Sequence, residues 1–366
     1  MERSRLWNFS PGPAVLPSPV LEAAATGIRE LDGSGMSILE VSHRSRWFED
    51  VIERAEAGLR ELLDVPREHR ILFCPGGASL QFSMAPMNLL GRGHVAEYVV
   101  TGSWGERAAA EARRSGDVRI AWDGAGDGYV RVPSPSELDA TGLGASSAYV
   151  HFTSNETIQG VEWPNEPASL GAPLVCDMSS DFLSRPIDVR RYGIIYAGAQ
   201  KNAGPAGVTI VIASDDLISC GVDGVPAMLD YRTYARHGSL YNTPPVFAVY
   251  VVMLVTRWLR DEIGGLEKIR DINEAKAALL YEAIDQSDGF YAGHAQPASR
   301  SRMNVTWRLP SEELERAFLD GAEKRGLHEL RGHRSVGGLR ASIYNAMPLE
   351  GAFALRDYMD EFRRSA

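Results

Sequence analysis

The chain has 366 residues, of which 44% are hydrophobic and 23% charged, and its formal net charge is −10. That length exceeds one typical core and suits two domains, with the composition of a soluble globular enzyme. No basic patch dominates, which argues against nucleic acid, and the longest apolar run, Val246 to Val255, is too short to span a bilayer.

Residues Asn8-Phe-Ser-Pro11-Gly12-Pro13-Ala14 form a turn-rich lead-in whose prolines fix the backbone. The pattern predicts a helix from Ser18, read as its N-cap, to Leu31, and another over Phe48 to Leu63. Between them, Glu40-Val-Ser42-His43-Arg44-Ser-Arg46 is either an anion grip or a solvated basic loop. Ile71 to Cys74 reads as a strand, Pro75-Gly76-Gly77-Ala78-Ser79 as a glycine turn, and Leu80 to Leu90 as a helix. Strand, glycine turn and helix N-terminus together can bind a phosphate through backbone N–H groups. Neither a Walker A loop nor a dinucleotide fingerprint is present.

Val95 to Val100 is a further strand, ending in Thr101-Gly-Ser-Trp104-Gly105, where Trp104 is a stacking platform or simply core. Asp123 to Gly128 looks like a calcium loop but lacks its closing glutamate and reads as a turn, so no metal is expected. Strands are expected at Ala148 to Phe152, Ala172 to Cys176, Gly193 to Ala197 and Val208 to Ile212. Alternation of strands with helices predicts a mostly parallel sheet, whose functional side chains collect at strand ends. Thr157, Asp177 and Lys201 fall at such ends. Asn242-Thr243-Pro244-Pro245 is read as capping the apolar helix Val246 to Leu259. A second helix, Gly265 to Asp285, is expected to carry Lys268 and Lys276 on its solvent face. A strand at Arg302 to Leu309 and helices at Ser311 to Arg325 and Gly351 to Arg364 follow. Between the two helices, Gly332-His333-Arg334 and Arg340 form a second candidate anion site. Cys74, Cys176 and Cys220 are too scattered for a disulfide framework, and Cys74 and Cys176 read as buried thiols. With no apolar leader at the start, a cytoplasmic location is expected.

Lys201 stands out. Only four of the 38 basic residues are lysines, and Lys201 is the only one before position 268. Arginine stays protonated and is a poor nucleophile, whereas a buried amine can attack a carbonyl and form a Schiff base. An amine, an aspartate 24 positions earlier, a phosphate nest, an aromatic plate and several arginines are the set that pyridoxal phosphate requires.

The chain resembles the phosphoserine aminotransferases, class V aminotransferases among the fold-type I pyridoxal phosphate enzymes. The likeness runs through Glu40-Val-Ser-His-Arg44, Asn155-Glu-Thr-Ile158, Asp188-Val, Arg191-Tyr-Gly, Tyr196-Ala-Gly-Ala-Gln-Lys-Asn202, Gly204-Pro-Ala-Gly207, Asn242-Thr-Pro-Pro245, Gly332-His-Arg334 and Ala341 to Pro348. It implies an α/β fold with a large domain, residues 17–265, built on a seven-stranded, mostly parallel sheet flanked by helices. A smaller α/β domain would comprise residues 1–16 and 266–366. It implies that Lys201 carries the Schiff base, Asp177 pairs with the pyridinium, Trp104 stacks on the ring and Thr157 bonds the phenolic oxygen. Ala78, Ser79 and Gln200, with Asn242 and Thr243 from a second subunit, would hold the cofactor phosphate. Arg44 of that subunit, with His333 and Arg334, would grip a substrate phosphate or distal carboxylate, and Arg340 the α-carboxylate; His43 is our own addition to that grip, expected to help because Ser79 leaves it with fewer cations. The implied homodimer moves an amino group between L-glutamate and 3-phosphohydroxypyruvate, with a four-carbon phosphorylated analogue from vitamin B6 synthesis as a second substrate. Some members carry an arginine where this chain has Ser79. The rival readings are another class V aminotransferase, such as an alanine–glyoxylate enzyme, and a non-enzymatic phosphate-binding module.

Overall fold

The computed structural model describes residues 6–144, 147–167 and 171–366; residues 1–5 of the expected small domain lie outside these. Short runs rich in Val, Ile, Leu and Tyr form seven strands of one sheet. They are β1 (His69–Cys74), β2 (Val95–Val100), β3 (Asp117–Asp123), β4 (Ser147–Thr153), β5 (Leu174–Asp177), β6 (Ile194–Gly198) and β7 (Thr209–Ser214). Across the sheet they lie in the order β1-β7-β6-β5-β4-β2-β3. All neighbouring pairs from β6 to β3 are parallel, and β7 alone runs antiparallel to β1 and β6. The link 199–208 is too short for a crossover helix, so the chain turns straight back there. The expected seven-stranded, mostly parallel sheet is thus present.

Helices α1 (Ser18–Arg29), α2 (Arg46–Leu63), α3 (Gly77–Leu89), α4 (Ser103–Ala112) and α5 (Val246–Trp258) accompany this sheet. Alternate strand residues feed two apolar layers. Phe73, Phe152, Ile195 and Ile210 pack with buried side chains of α1, α2 and α5. Leu72, Tyr98, Tyr196 and Val211 pack with those of α3 and α4. A parallel sheet needs both faces covered, and this one has them.

The remainder forms α6 (Leu266–Asp285), β8 (Ala292–Gly293), β9 (Asn304–Arg308), α7 (Glu312–Lys324), β10 (Leu339–Ser342) and α8 (Leu349–Ser365). Strands β8, β9 and β10 make a small antiparallel sheet. A third apolar cluster joins Phe9 to Leu280, Val305, Trp307, Phe318 and Leu355. Trp7–Asn8 pairs in parallel with Leu327–His328, which ties the lead-in to this part of the molecule.

Several local expectations are corrected. Helix α1 is capped by Pro17, with Ser18 already helical and no side-chain cap. Helix α5 is preceded by Pro245, again without a side-chain cap. Helix α3 starts at Gly77 rather than Leu80, because Gly76 and Gly77 adopt φ of 90° and 66° and turn the chain at once. Ala78 and Ser79 therefore lie in its first turn. Trp104 sits in the first turn of α4, not on a strand end.

The largest correction concerns Lys276, which is buried rather than solvent-facing. Its ammonium donates to the carbonyls of Tyr344 at 2.7 Å, Ile343 at 2.9 Å and Met347 at 3.0 Å. Burial pushes its pKa down to about 7, while the three carbonyls favour the charged form. Lys276→Met keeps the length but removes every donor. The expected cost is about 2–3 kcal/mol, the range for buried acceptors left without a partner, read as a lower urea midpoint; an unaltered midpoint would contradict this account of the cage.

Candidate active site

The C-terminal ends of β1, β2, β4, β5 and β6 share one edge of the sheet, because β7 is the only strand reversed. Loops that follow such ends build sites in open α/β sheets. Here they enclose a cavity of about 290 Å³ lined by residues 76–79, Trp104, Thr153, Asn155, Thr157, Asp177, Ser179, Ser180, Gln200 and Lys201.

The Lys201 amine donates to Ser180 Oγ at 2.7 Å and to Thr157 Oγ1 at 2.8 Å, and the two hydroxyls are 2.6 Å apart. Asp177 is buried one strand away, and its Oδ1 accepts from the Ser179 hydroxyl at 2.7 Å and the Ser179 N–H at 2.9 Å. Burial pushes the Asp177 pKa up, opposed by the Lys201 charge and by the Ser179 hydrogen bonds. Ser179 Oγ also accepts from the Gly198 N–H at 3.1 Å, locking β6 to the turn after β5. The lead-in covers Lys201 from outside. The Ala14 N–H donates to the Gln200 carbonyl at 2.8 Å, and a Cβ on Gly12, whose φ is 140°, would stand 3.5 Å from the Lys201 side chain.

Trp104 is held through its backbone. Its N–H and that of Gly105 donate to the two oxygens of Glu156, at 2.9 and 2.8 Å. The carboxylate thus caps the N-terminus of α4, where negative charge is favoured. Burial pushes Glu156 up to about 7, against the pull of those two N–H groups. Gln159 fixes the same turn through Ser103. The Arg107 guanidinium lies 4.8 Å from the Trp104 ring centroid.

Arg340 is buried on β10, and its Nη1 donates to the Thr157 carbonyl at 3.4 Å. It lines a neighbouring cavity of about 260 Å³ with Gln159, Thr306 and Arg308, not the Lys201 cavity itself. Arg340 Nε is buried with no partner among the described residues. His333 is half-buried and Arg334 exposed on the loop before β10. Burial pushes the His333 pKa down, as do the charges of Arg340, Arg107 and Arg334, so these cations share one region. His43, Arg44, Asn242 and Thr243 do not line the Lys201 cavity of their own chain. Arg44, Asn242 and Thr243 are exposed, and His43 is half-buried.

The cavity suits pyridoxal phosphate by its donor set. It offers an amine, a buried carboxylate, an aromatic face and first-turn N–H groups at Ala78 and Ser79. Trp104 Nε1 and Thr153 Oγ1 are buried beside it with no partner among the described residues.

The family model of the class-V aminotransferases matches residues 6–355. The chain belongs to the class-V aminotransferases. Over 98% of its length this aminotransferase is 54% identical to the phosphoserine aminotransferase of Laribacter hongkongensis strain HLHK9, covering 99% of that protein. The solved phosphoserine aminotransferase of Bacillus circulans subsp. alkalophilus is 48% identical with a TM-score of 0.96, the match covering 99% of each chain. A PLP-bound phosphoserine aminotransferase from Trichomonas vaginalis is 39% identical with a TM-score of 0.91, over 97% of this chain and 100% of that one.

Residues in and around the aminotransferase site that the sequence did not single out include Ser179, Ser180 and Glu156, with Arg107 over the Trp104 ring. Ser180 stands three positions after Asp177 in the same strand-end turn; Glu156 stands beside Thr157; Arg107 stands one helical turn after Trp104. Only Glu156 carried a signal, as a carboxylate in a buried polar stretch. Glu156→Gln exchanges an acceptor oxygen for an amide that cannot receive the second N–H. Losing one charge-assisted bond of about 1.5 kcal/mol loosens Trp104, and pyridoxal phosphate should bind roughly tenfold more weakly in a visible-absorbance titration. Unchanged affinity would show that the cap does not govern Trp104.

Proposed function

We propose that this chain is a phosphoserine aminotransferase that uses pyridoxal 5′-phosphate to move the amino group of L-glutamate reversibly to 3-phosphohydroxypyruvate. The products are O-phospho-L-serine and 2-oxoglutarate. The carrying observation is the Lys201 amine held by two hydroxyls, one strand from a buried carboxylate and beside a cluster of cations. The extended likeness to phosphoserine aminotransferases at about half identity supports the substrate assignment.

Bound in this cavity, the cofactor supplies an aldehyde that takes an amine covalently and a protonated ring that absorbs electrons from the substrate. The chain supplies the rest. Lys201 would anchor the cofactor aldehyde and would serve as the general base within reach that takes the substrate Cα proton and returns it. Thr157 and Ser180 aim the amine and accept its hydrogen bonds. Asp177, whose carboxylate form is favoured by the Ser179 hydrogen bonds and the Lys201 charge against its burial, would face the ring nitrogen and favour its protonation. Trp104 covers one ring face and excludes water. Backbone N–H groups of Ala78 and Ser79, with Gln200, receive the cofactor phosphate at the start of α3.

A second copy of the chain completes the site in this reading. Asn242 and Thr243 of that copy reach the cofactor phosphate, and its Arg44 and His43 join His333 and Arg334 around the distal anion. Their exposed or half-buried positions away from their own Lys201 support it. We also place the domain boundary as residues 17–265 against 1–16 and 266–366; the separate apolar cluster containing Phe9 supports this division.

Purified protein should show a visible band that borohydride abolishes, and glutamate should convert it. Lys201→Ala should abolish that conversion; a variant that retains the wild-type rate would sink the proposal. Forked arginine donors suit a carboxylate or a phosphate. Arg334→Ala should raise KM for 3-phosphohydroxypyruvate roughly 10- to 100-fold, the equivalent of one lost charged contact. Arg340→Ala should impair every amino acid tested. Equal effects of both on L-alanine, which has no distal anion, would contradict the division of labour.

A further inference from the structure

We propose that Arg107 is a specificity-determining residue that recognises the distal anion of the substrate, reaching it from the large sheet's side of the site while Arg334 reaches it from the small one. This rests on the reading of the chain as a phosphoserine aminotransferase and adds a residue to it. Three observations carry it. Arg107 follows Trp104 by one turn on α4, and its guanidinium lies over the indole, 4.8 Å from the ring centroid. An arginine stacked on an aromatic face is held in place while its N–H fork stays available. Trp104 lines the Lys201 cavity, and its backbone is fixed by Glu156, so Arg107 is set at a fixed distance from the reacting centre.

The second observation is pairing. Arg107 is exposed, so its guanidinium keeps its charge for a ligand, whereas Arg185 is already neutralised by Glu166 and Arg302 by Glu162. No ion pair among the described residues uses Arg107, although the chain as a whole is acidic.

The third is charge balance. A phosphate monoester carries between −1.5 and −2 at neutral pH. His333 stands among Arg340, Arg107 and Arg334, and burial with those charges pushes its pKa down, which weighs against a cationic imidazole there. Arg340 is committed to the α-carboxylate. Arg334 is then this chain's share of the grip on a doubly charged group, beside Arg44 of the second copy, and Arg107 is a further cation of this chain within electrostatic reach of His333.

The test compares wild type, Arg107→Gln and Arg107→Lys as cofactor-loaded protein. KM and kcat for O-phospho-L-serine are measured, with the rate of the L-alanine half-reaction followed through the cofactor absorbance. The glutamine variant should lower the ratio of kcat/KM for O-phospho-L-serine over that for L-alanine by roughly tenfold, about one charged contact, chiefly through KM. The lysine variant should recover most of that ratio. A ratio equal to wild type in the glutamine variant overturns the proposal, whether both substrates are untouched or both fall together, since the latter means Arg107 only steadies Trp104. Wild-type protein that fails to use O-phospho-L-serine at all would instead overturn the substrate assignment, leaving the two failures distinct.

Discussion

Two hydroxyls hold the Lys201 amine, and they come from different strand ends: Thr157 from the loop after β4 and Ser180 from the turn after β5. Lys201 itself follows β6. The contact exists only while these three neighbouring parallel strands keep their register, so the hydrogen-bond ladder of the sheet fixes the position of a single nitrogen. The reversal of β7 matters to this arrangement. Had the chain crossed over after β6, Lys201 would begin a long connection instead of a tight turn braced by Ala199 and Val208.

The same loop couples the two parts of the molecule. Asn155 donates to Asn304 at 2.7 Å, Asn304 to Tyr344 at 3.2 Å, and Tyr344 to the Pro11 carbonyl at 2.9 Å. At Gly160 the contact is closer still: φ is 70°, and a Cβ would lie 2.5 Å from the Asn304 carbonyl. Asn202, next to Lys201, bonds the Ser180 carbonyl and receives the Asn345 N–H. The 343–347 turn that carries Asn345 is the one caged by Lys276. Buried polar groups connected in this way act together, because leaving any one unpaired in a low-dielectric interior is costly. The site is therefore set by side chains far from it in sequence.

Much of this was legible in the chain. The strands were bounded by turn residues, the parallel order followed from their alternation with helices, and the strand-end rule singled out Thr157, Asp177 and Lys201 together. The rarity of lysine made position 201 conspicuous. What escaped was decided by contacts across the fold. Glu156 caps a helix that begins 53 positions earlier, and nothing local marks that pairing. Lys276 sits on a helix with charges all round, so its period looked solvated, yet the acceptors that bury it come from residues 343–347. Arg107 reads as one more exposed arginine, and only its place over the Trp104 ring and its charge near His333 set it apart. Helix starts were displaced where proline or left-handed glycine, rather than a hydroxyl side chain, began the helix.

The scarcity of lysine has a practical side. Of the four primary side-chain amines, Lys201 lies in the cavity and Lys276 is sealed among carbonyls. Lys268 and Lys324 are the exposed pair, both on helices α6 and α7 away from the central sheet. Acylating resins and labels would therefore find few handles besides the chain terminus, and would tether the protein by its smaller part with the cofactor cavity left clear of attachment.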